Sequence, residues 1–207
     1  EIGSSINDYL SQHINDFTFL QPNYIQSNST FNLAGLNSAM NGKFISIIQD
    51  IDLQGATIDF VAQGVKDLKL VFNGGRILNG KIRSNNTHCI FNSNEAFVNV
   101  EILNQFNNDF ALPEWFGAKI DGQDGGIGNF SKDDSFAMNQ ALKFASLVRL
   151  TGNRTMIIKK PIVLRTGNTI EADKNFEIKL GDASNCTLLK NEHVDIPHDG
   201  INPVVYP

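Results

Sequence analysis

Residues 68–83 read Leu68-Lys69-Leu70-Val71-Phe72-Asn73-Gly74-Gly75-Arg76-Ile77-Leu78-Asn79-Gly80-Lys81-Ile82-Arg83. Short apolar runs alternate at a period near 2, and each closes on a joint of Asn and Gly. These are the residues that enter left-handed backbone at low cost. Strands of a sandwich run to about five or six residues and are joined by sheet-crossing connections. Here the runs are shorter and a turn arrives every few residues. That spacing predicts a solenoid, in which each coil lays several small strands on successive faces and buries its aliphatic side chains against the next coil.

The pattern extends in both directions. Upstream stand Phe44, Ile45, Ile47, Ile51, Leu53, Ile58 and Phe60, broken at Gln49-Asp50 and Gln54-Gly55. Downstream come His88-Cys89-Ile90-Phe91 and Phe97-Val98-Asn99-Val100-Glu101-Ile102. Residues 103–132 interrupt it with a polar turn at Asn104–Asp109, the stretch Leu112–Lys119 and the Gly-rich run Gly122–Gly128, read together as a flexible connection with a boundary near residue 110. A helix is predicted from about Asp134 to Val148, with Ala137, Ala141, Phe144, Ala145 and Val148 on one face. Ser131 or Asp133 would supply the N-cap oxygen, and Gly152-Asn153 would stop the chain. Strands then resume at Met156–Ile158, Ile162–Leu164, Thr169–Glu171, Phe176–Leu180 and Thr187–Leu189.

At the other end, Ile6, Tyr9, Leu10, Ile14 and Phe17 predict an amphipathic helix over 4–17, capped by Ser4 or Ser5, that packs on its own domain or docks on another subunit. Residues 18–43 read as a linker with one helical turn around Ala34–Met40. The organisation is therefore 1–43, N-terminal helix and linker for attachment or assembly; 44–110, a short β-helical prefix; and 111–207, a capping helix with the first coils of a further stack.

Composition agrees with this reading. The chain has 207 residues, a formal charge of −5 and a pI near 5.3, which speaks against a nucleic-acid binder with its basic stripe. No window approaches the roughly 18 apolar residues of a membrane span. No basic region precedes an apolar run at the start, and the opening residue is Glu1, so the chain is expected to be processed or an excerpt. The 25 Asn residues suit tight turns and can stack into hydrogen-bonded ladders. That abundance also accounts for the Asn-Xaa-Ser/Thr triplets at Asn28, Asn85, Asn129, Asn153 and Asn185 without invoking glycans. Cys89 and Cys186 match no metal spacing and read as small buried or half-buried thiols.

The chemistry-bearing residues have plain structural readings. Asp121, Asp124, Asp133 and Asp134 could hold Ca2+ or form a carboxylate pair, but the aspartate pair stands where a helix N-terminus favours negative charge. Gly122–Gly128 lacks the Lys-Ser/Thr of a phosphate loop. His193 and His198 have no further ligands nearby, and His13 lies by the apolar stripe of the first helix. Trp115 and Phe116 could stack on a sugar, yet anchoring the connector on the solenoid end is the preferred reading. No catalytic, cofactor-binding or metal residue is assigned, and Ca2+ is the one ion considered.

Trp115-Phe116-Gly117-Ala118-Lys119-Ile120-Asp121-Gly122, followed by Asp133-Asp134-Ser135-Phe136-Ala137 and Ala141-Leu142, resembles the opening of the pectate-lyase-like superfamily of right-handed parallel β-helices. The stretch Leu164–Leu180 is similar to the first coils after its capping helix, and residues 51–91 resemble a β-helical prefix that precedes such domains in anaerobic gut bacteria and their phages. This sequence departs from the family in the long insert Gln123–Lys132. The resemblance implies an all-β dominated fold, a right-handed parallel β-helix with an N-terminal amphipathic helix and an internal capping helix. It also implies a homotrimeric phage tailspike or tail-fibre protein of the virion tail. Its N-terminal part would meet other tail proteins, and its β-helix would bind or depolymerise host-surface glycan. A secreted or surface bacterial polysaccharide lyase or glycoside hydrolase is the alternative, and a non-catalytic structural module the third. Any lyase or hydrolase centre is expected beyond residue 207, where further coils would align side chains.

Overall fold

The computed structural model describes residues 24–26 (backbone), 33–92, 94–126, 132–182, 184 and 186–192. The helix expected over 4–17 lies outside the described residues, as do His13, His193, His198 and Ser131. Among the described residues the chain is strand-rich with a single α-helix.

The strands are β1 (Tyr24–Gln26), β2 (Phe44–Ile47), β3 (Ile51–Asp52), β4 (Thr57–Asp59), β5 (Lys69–Phe72), β6 (Ile77–Arg83), β7 (His88–Phe91) and β8 (Phe97–Ile102). Helix α1 (Ser135–Phe144) follows, and then β9 (Leu147–Leu150), β10 (Thr155–Ile158), β11 (Ile162–Leu164), β12 (Thr169–Ala172), β13 (Glu177–Leu180) and β14 (Leu189–Asn191). Each pairing between these strands is parallel. One sheet runs β1-β2-β5-β7. In another, β6 takes β3 and β4 on one side and β8 on the other. β9 pairs with β12, β10 with β13 and β11 with β14. One-turn 3-10 helices at Leu33–Gly35 and Ser38–Met40 fill the segment where one turn was expected.

The register explains the core. Ile45, Leu70 and Cys89 stand side by side across β2, β5 and β7, and all are buried. Ile58, Ile82 and Ile102 form a like row through β4, β6 and β8. Full burial of an Ile or Phe contributes about 1.5–3 kcal/mol, so each row stabilises the contact between neighbouring strands. In β6 the buried residues are Ile77 and Ile82, which strict alternation could not put on one side. The break falls at Asn79, which sits at φ 51° and bends the strand. Its register neighbour Asn99 has φ 54°.

Amides stack at the bends. Asn79 Nδ2 donates to Asp52 Oδ1 (3.2 Å), and Asn99 Nδ2 donates to Asn79 Oδ1 (3.1 Å). At a second bend Asn86 (φ 58°) donates to Asp67 (φ 57°) over 2.6 Å. A third stack runs Ser46–Asn73–Asn92. Where the strand pattern stops, side-chain amides take the place of a neighbouring strand. Asn108 accepts from the N–H of Cys89 (2.9 Å) and donates to its carbonyl (2.8 Å). Asn104 does the same for Ser84 (2.6 and 2.9 Å). Gln140 of α1 accepts from Ile102 N–H at 2.7 Å.

Two expectations need correction. The predicted helix over 134–148 ends at Phe144. Ala145 leaves helical geometry at φ −138°, ψ 155°, and Leu147–Leu150 becomes strand β9, where Val148 keeps its inward place by pairing with Ile170 rather than by extending a helical stripe. The connector is packed where the sequence reads as flexible. Trp115, Phe116, Ala118 and Ile120 are buried, and Ala111 and Asp121 bridge in parallel to Val148 and Thr155. Its anchor is a chain of rings. Phe91 stacks on Trp115 (3.8 Å between centroids), Phe97 on Phe116 (5.4 Å) and Phe106 on Phe144 (4.5 Å), so the core passes through residue 110 without a gap.

Candidate ligand-binding cleft

The acidic residues singled out in the sequence are held by bonds within the chain. Asp121 pairs with Lys132 (2.6 Å). Asp124 pairs with the buried Lys159 (2.5 Å), whose ammonium also donates to the carbonyls of Asp124 (2.8 Å) and Gly126 (3.0 Å) and so pins the Gly-rich run. Asp133 Oδ1 accepts from the N–H groups of Ser135 (3.0 Å) and Lys159 (3.0 Å). Asp134 is the residue at the N-cap, yet its carboxylate makes no bond inside the helix. It accepts instead from the N–H groups of Lys119 (2.8 Å), Ile120 (3.3 Å) and Ile157 (3.3 Å), joining the connector to β10. Asp133, one of the two expected N-cap donors of an oxygen, thus reaches the first helical N–H, while Asp134 forms a staple between segments beside Ile120, which stands at φ 50°, a costly conformation for a β-branched residue. Burial pushes the Asp134 carboxyl above its ordinary value, against the pull of those N–H groups. Lysine bonds hold Asp121 and Asp124 below theirs. Among the described residues no group of three His, Cys, Asp or Glu side chains is placed to hold a metal. Burial raises the Cys89 thiol well above its ordinary value, and Cys186 is half-buried.

Trp115 is only 8% exposed and is spent on the ring stack, so the available aromatic lies elsewhere. Helix α1 buries Ala137, Met138, Ala141, Leu142 and Phe144, and turns Phe136 outward at 44% exposure. Phe136 is shared by two surface clefts. One, of about 300 Å³, is lined by Ser135, Phe136, Asn139, Lys143, Lys160 and Arg165, among others. The second, of about 320 Å³, lies between Phe136 and the bends of β6 and β8, at Asn79, Gly80, Lys81, Asn99 and Glu101. Gly80 is needed there, since a Cβ would lie 2.6 Å from the carbonyl of Ala56. Glu101 accepts from both Lys81 (2.9 Å) and Lys143 (3.3 Å), which hold its carboxyl below the ordinary range. Arg165 pairs with Glu192 at 3.0 Å.

The sequence does place Phe136 in a motif stretch, but its exposure was not foreseen. The signal was available, because Phe136 falls off the face traced by Ala137, Ala141 and Phe144. A phenyl group on the wet side of an amphipathic helix is the informative exception. A third cleft, of about 270 Å³, lies at His88, Ile90, Phe110 and Trp115, with Arg149 over the Phe110 ring at 4.6 Å. No helix among the described residues is long and apolar enough to cross a membrane. No protein-family model, curated protein or solved structure matches this chain.

Proposed function

We propose that this chain is part of a phage tailspike or tail-fibre type virion protein, a right-handed parallel β-helix that engages host-surface glycan. The observation that carries the reading is the stacked register. Parallel strands from successive stretches of chain stand side by side, inward Ile and Phe form continuous rows, and Asp52, Asn79 and Asn99 meet in one ladder. This is how a coil buries a face it cannot bury alone. A stack of this kind offers a rigid outer wall, and the clefts around Phe136 give that wall an exposed ring set among polar groups, the arrangement that suits a sugar with its apolar face and hydroxyl rim. The sequence resemblance adds a homotrimer, attachment through the N-terminal region and a place in the virion tail.

Light scattering of the purified chain tests the assembly, with a stable trimer expected. A monomer that releases reducing ends or unsaturated uronates from bacterial polysaccharide would replace this reading with that of a secreted lyase or hydrolase. Adsorption to host cells, lost when the surface polysaccharide is stripped, tests the glycan directly. Unchanged adsorption to stripped cells would refute it.

A further inference from the structure

We propose that the surface formed by β12, β13 and β14 is an interface for a second copy of this chain, which covers it end to end after a two-fold rotation. The proposal stands apart from the glycan reading. Among the described residues β12 pairs only with β9, β13 only with β10 and β14 only with β11, so each strand keeps one edge of peptide groups without a strand beside it. The inward rows run on to these strands and stop there uncovered. Ile170 stands in register with Val148, Ile178 with Met156, Leu180 with Ile158 and Leu189 with Ile162, and the earlier member of each pair is fully buried. The later members are not. Ile170 and Ile178 are half-buried, and Leu180 and Leu189 are each 45% exposed. A core end that shows both aliphatic side chains and strand edges is a surface on which further strands add.

The sequence of β13 selects the partner. A strand that pairs with its own copy about a two-fold axis runs antiparallel to it, and one residue stands on the axis opposite itself. Inward residues must meet inward residues, because a slip by one would turn every side chain to the wrong face. With Glu177 on the axis two carboxylates would oppose each other, and with Lys179 there two ammonium groups would, both unfavourable. With Ile178 on the axis, Glu177 of each copy faces Lys179 of the other. Ile178 then faces Ile178, and Leu180 faces Phe176, which packs half-buried against the core. Within one copy Lys179 Nζ bonds Glu177 Oε2 along the strand (2.6 Å), and both side chains are more than half exposed. The second copy turns that pair into an alternating set of four charges around an aliphatic centre. Because β13 is the middle strand of the three, the same rotation brings β12 over β14 of the other copy, which closes Ile170 and Leu189 into the joint.

Sedimentation of the whole chain tests the pairing. The wild-type particle should hold an even number of copies, two, or six if the chain is also a trimer through its sides. Glu177→Lys and Lys179→Glu each set like charges opposite one another at two symmetric places, so each should weaken the pairing by roughly tenfold or more and halve the particle at low concentration. Mixing the two single variants should restore the doubled particle, because two lysines then face two glutamates. Ile178→Cys in a Cys186→Ser background should close a disulfide between copies in air, since residues opposite one another in an antiparallel pair lie within disulfide reach. That cross-link carries the test if either charge variant fails to fold by circular dichroism. A wild-type particle with an odd number of copies would overturn the proposal and leave this end to residues 193–207 of the same chain or to a different protein. A doubled particle that ignores both charge reversals, or a mixture that stays halved, would overturn it as well. None of these outcomes bears on adsorption to stripped cells, which decides the glycan reading separately.

Discussion

Asn79 shows how much one residue can carry. It bends β6 by adopting φ 51°, and its amide links the side chains of Asp52 and Asn99. These roles separate by substitution. Asn79→Gly keeps the bend and removes the ladder bonds. Asn79→Ala removes the bonds and also imposes a left-handed conformation that costs an ordinary residue about 1–2 kcal/mol. Urea unfolding should therefore rank wild type above Gly and Gly above Ala, with the alanine variant lower than wild type by about 2 kcal/mol. An alanine variant as stable as the glycine one would show that the bend carries no strain. Gly80→Ala is a harsher change, because the added methyl meets the Ala56 carbonyl and the Leu53 side chain, and a loss of about 1–3 kcal/mol is expected in the same melts.

Among the elements, α1 carries the ring that ties the two stretches of the core together. Phe144 at its last turn contacts Phe91, Phe97, Phe106, Trp115 and Phe116, joining strands before residue 110 to the connector after it. Phe144→Ala should lower stability by about 3–5 kcal/mol, and a single thermal transition should shift as a whole because the rings lie in one core. Two separate transitions would show that the stretches on either side of residue 110 unfold independently. The helix itself was legible from the spacing of Ala137, Ala141 and Phe144, but its end was not. Val148 satisfies a helical stripe and an inward strand position equally well, and its partner Ile170 lies too far along the sequence for local pattern to decide. The long-range bonds of Asp134 were hidden for a similar reason. Its place before the helix shows it as negative charge at a helix N-terminus, and the N–H groups of Lys119 and Ile157 that claim its carboxylate leave no local trace.

For the molecule as a whole, the short strands and their Asn-Gly joints were readable because turn chemistry is local. The cleft was not, because it joins α1 to bends far away in sequence. Charge placement sets the pH response. Asp50, Glu101, Asp121, Asp124 and Glu177 are all held below their ordinary values, chiefly by hydrogen bonds from Arg76, Lys81, Lys132, Lys159 and Lys179 in turn. A depressed carboxylate stabilises the folded state above its unfolded pKa of about 4, and that contribution is lost as pH falls through the folded value. Asp134 acts in the opposite sense. Its raised pKa favours the fold when protonated, and that contribution fades as pH rises from about 4 through the folded value. The depressed groups outnumber it, so urea midpoints should fall on acidification below about pH 4, modestly because the pairs are solvent-screened. A midpoint that rises there would mean that burial of Asp134 outweighs them.

The amides of Asn104 and Asn108 have one more effect. A parallel strand with nothing beside it is a template on which a stranger can crystallise into a growing fibre. By occupying the peptide groups of Ser84 and Cys89, these side chains take away two of the rungs on which another copy could knit itself to that flank.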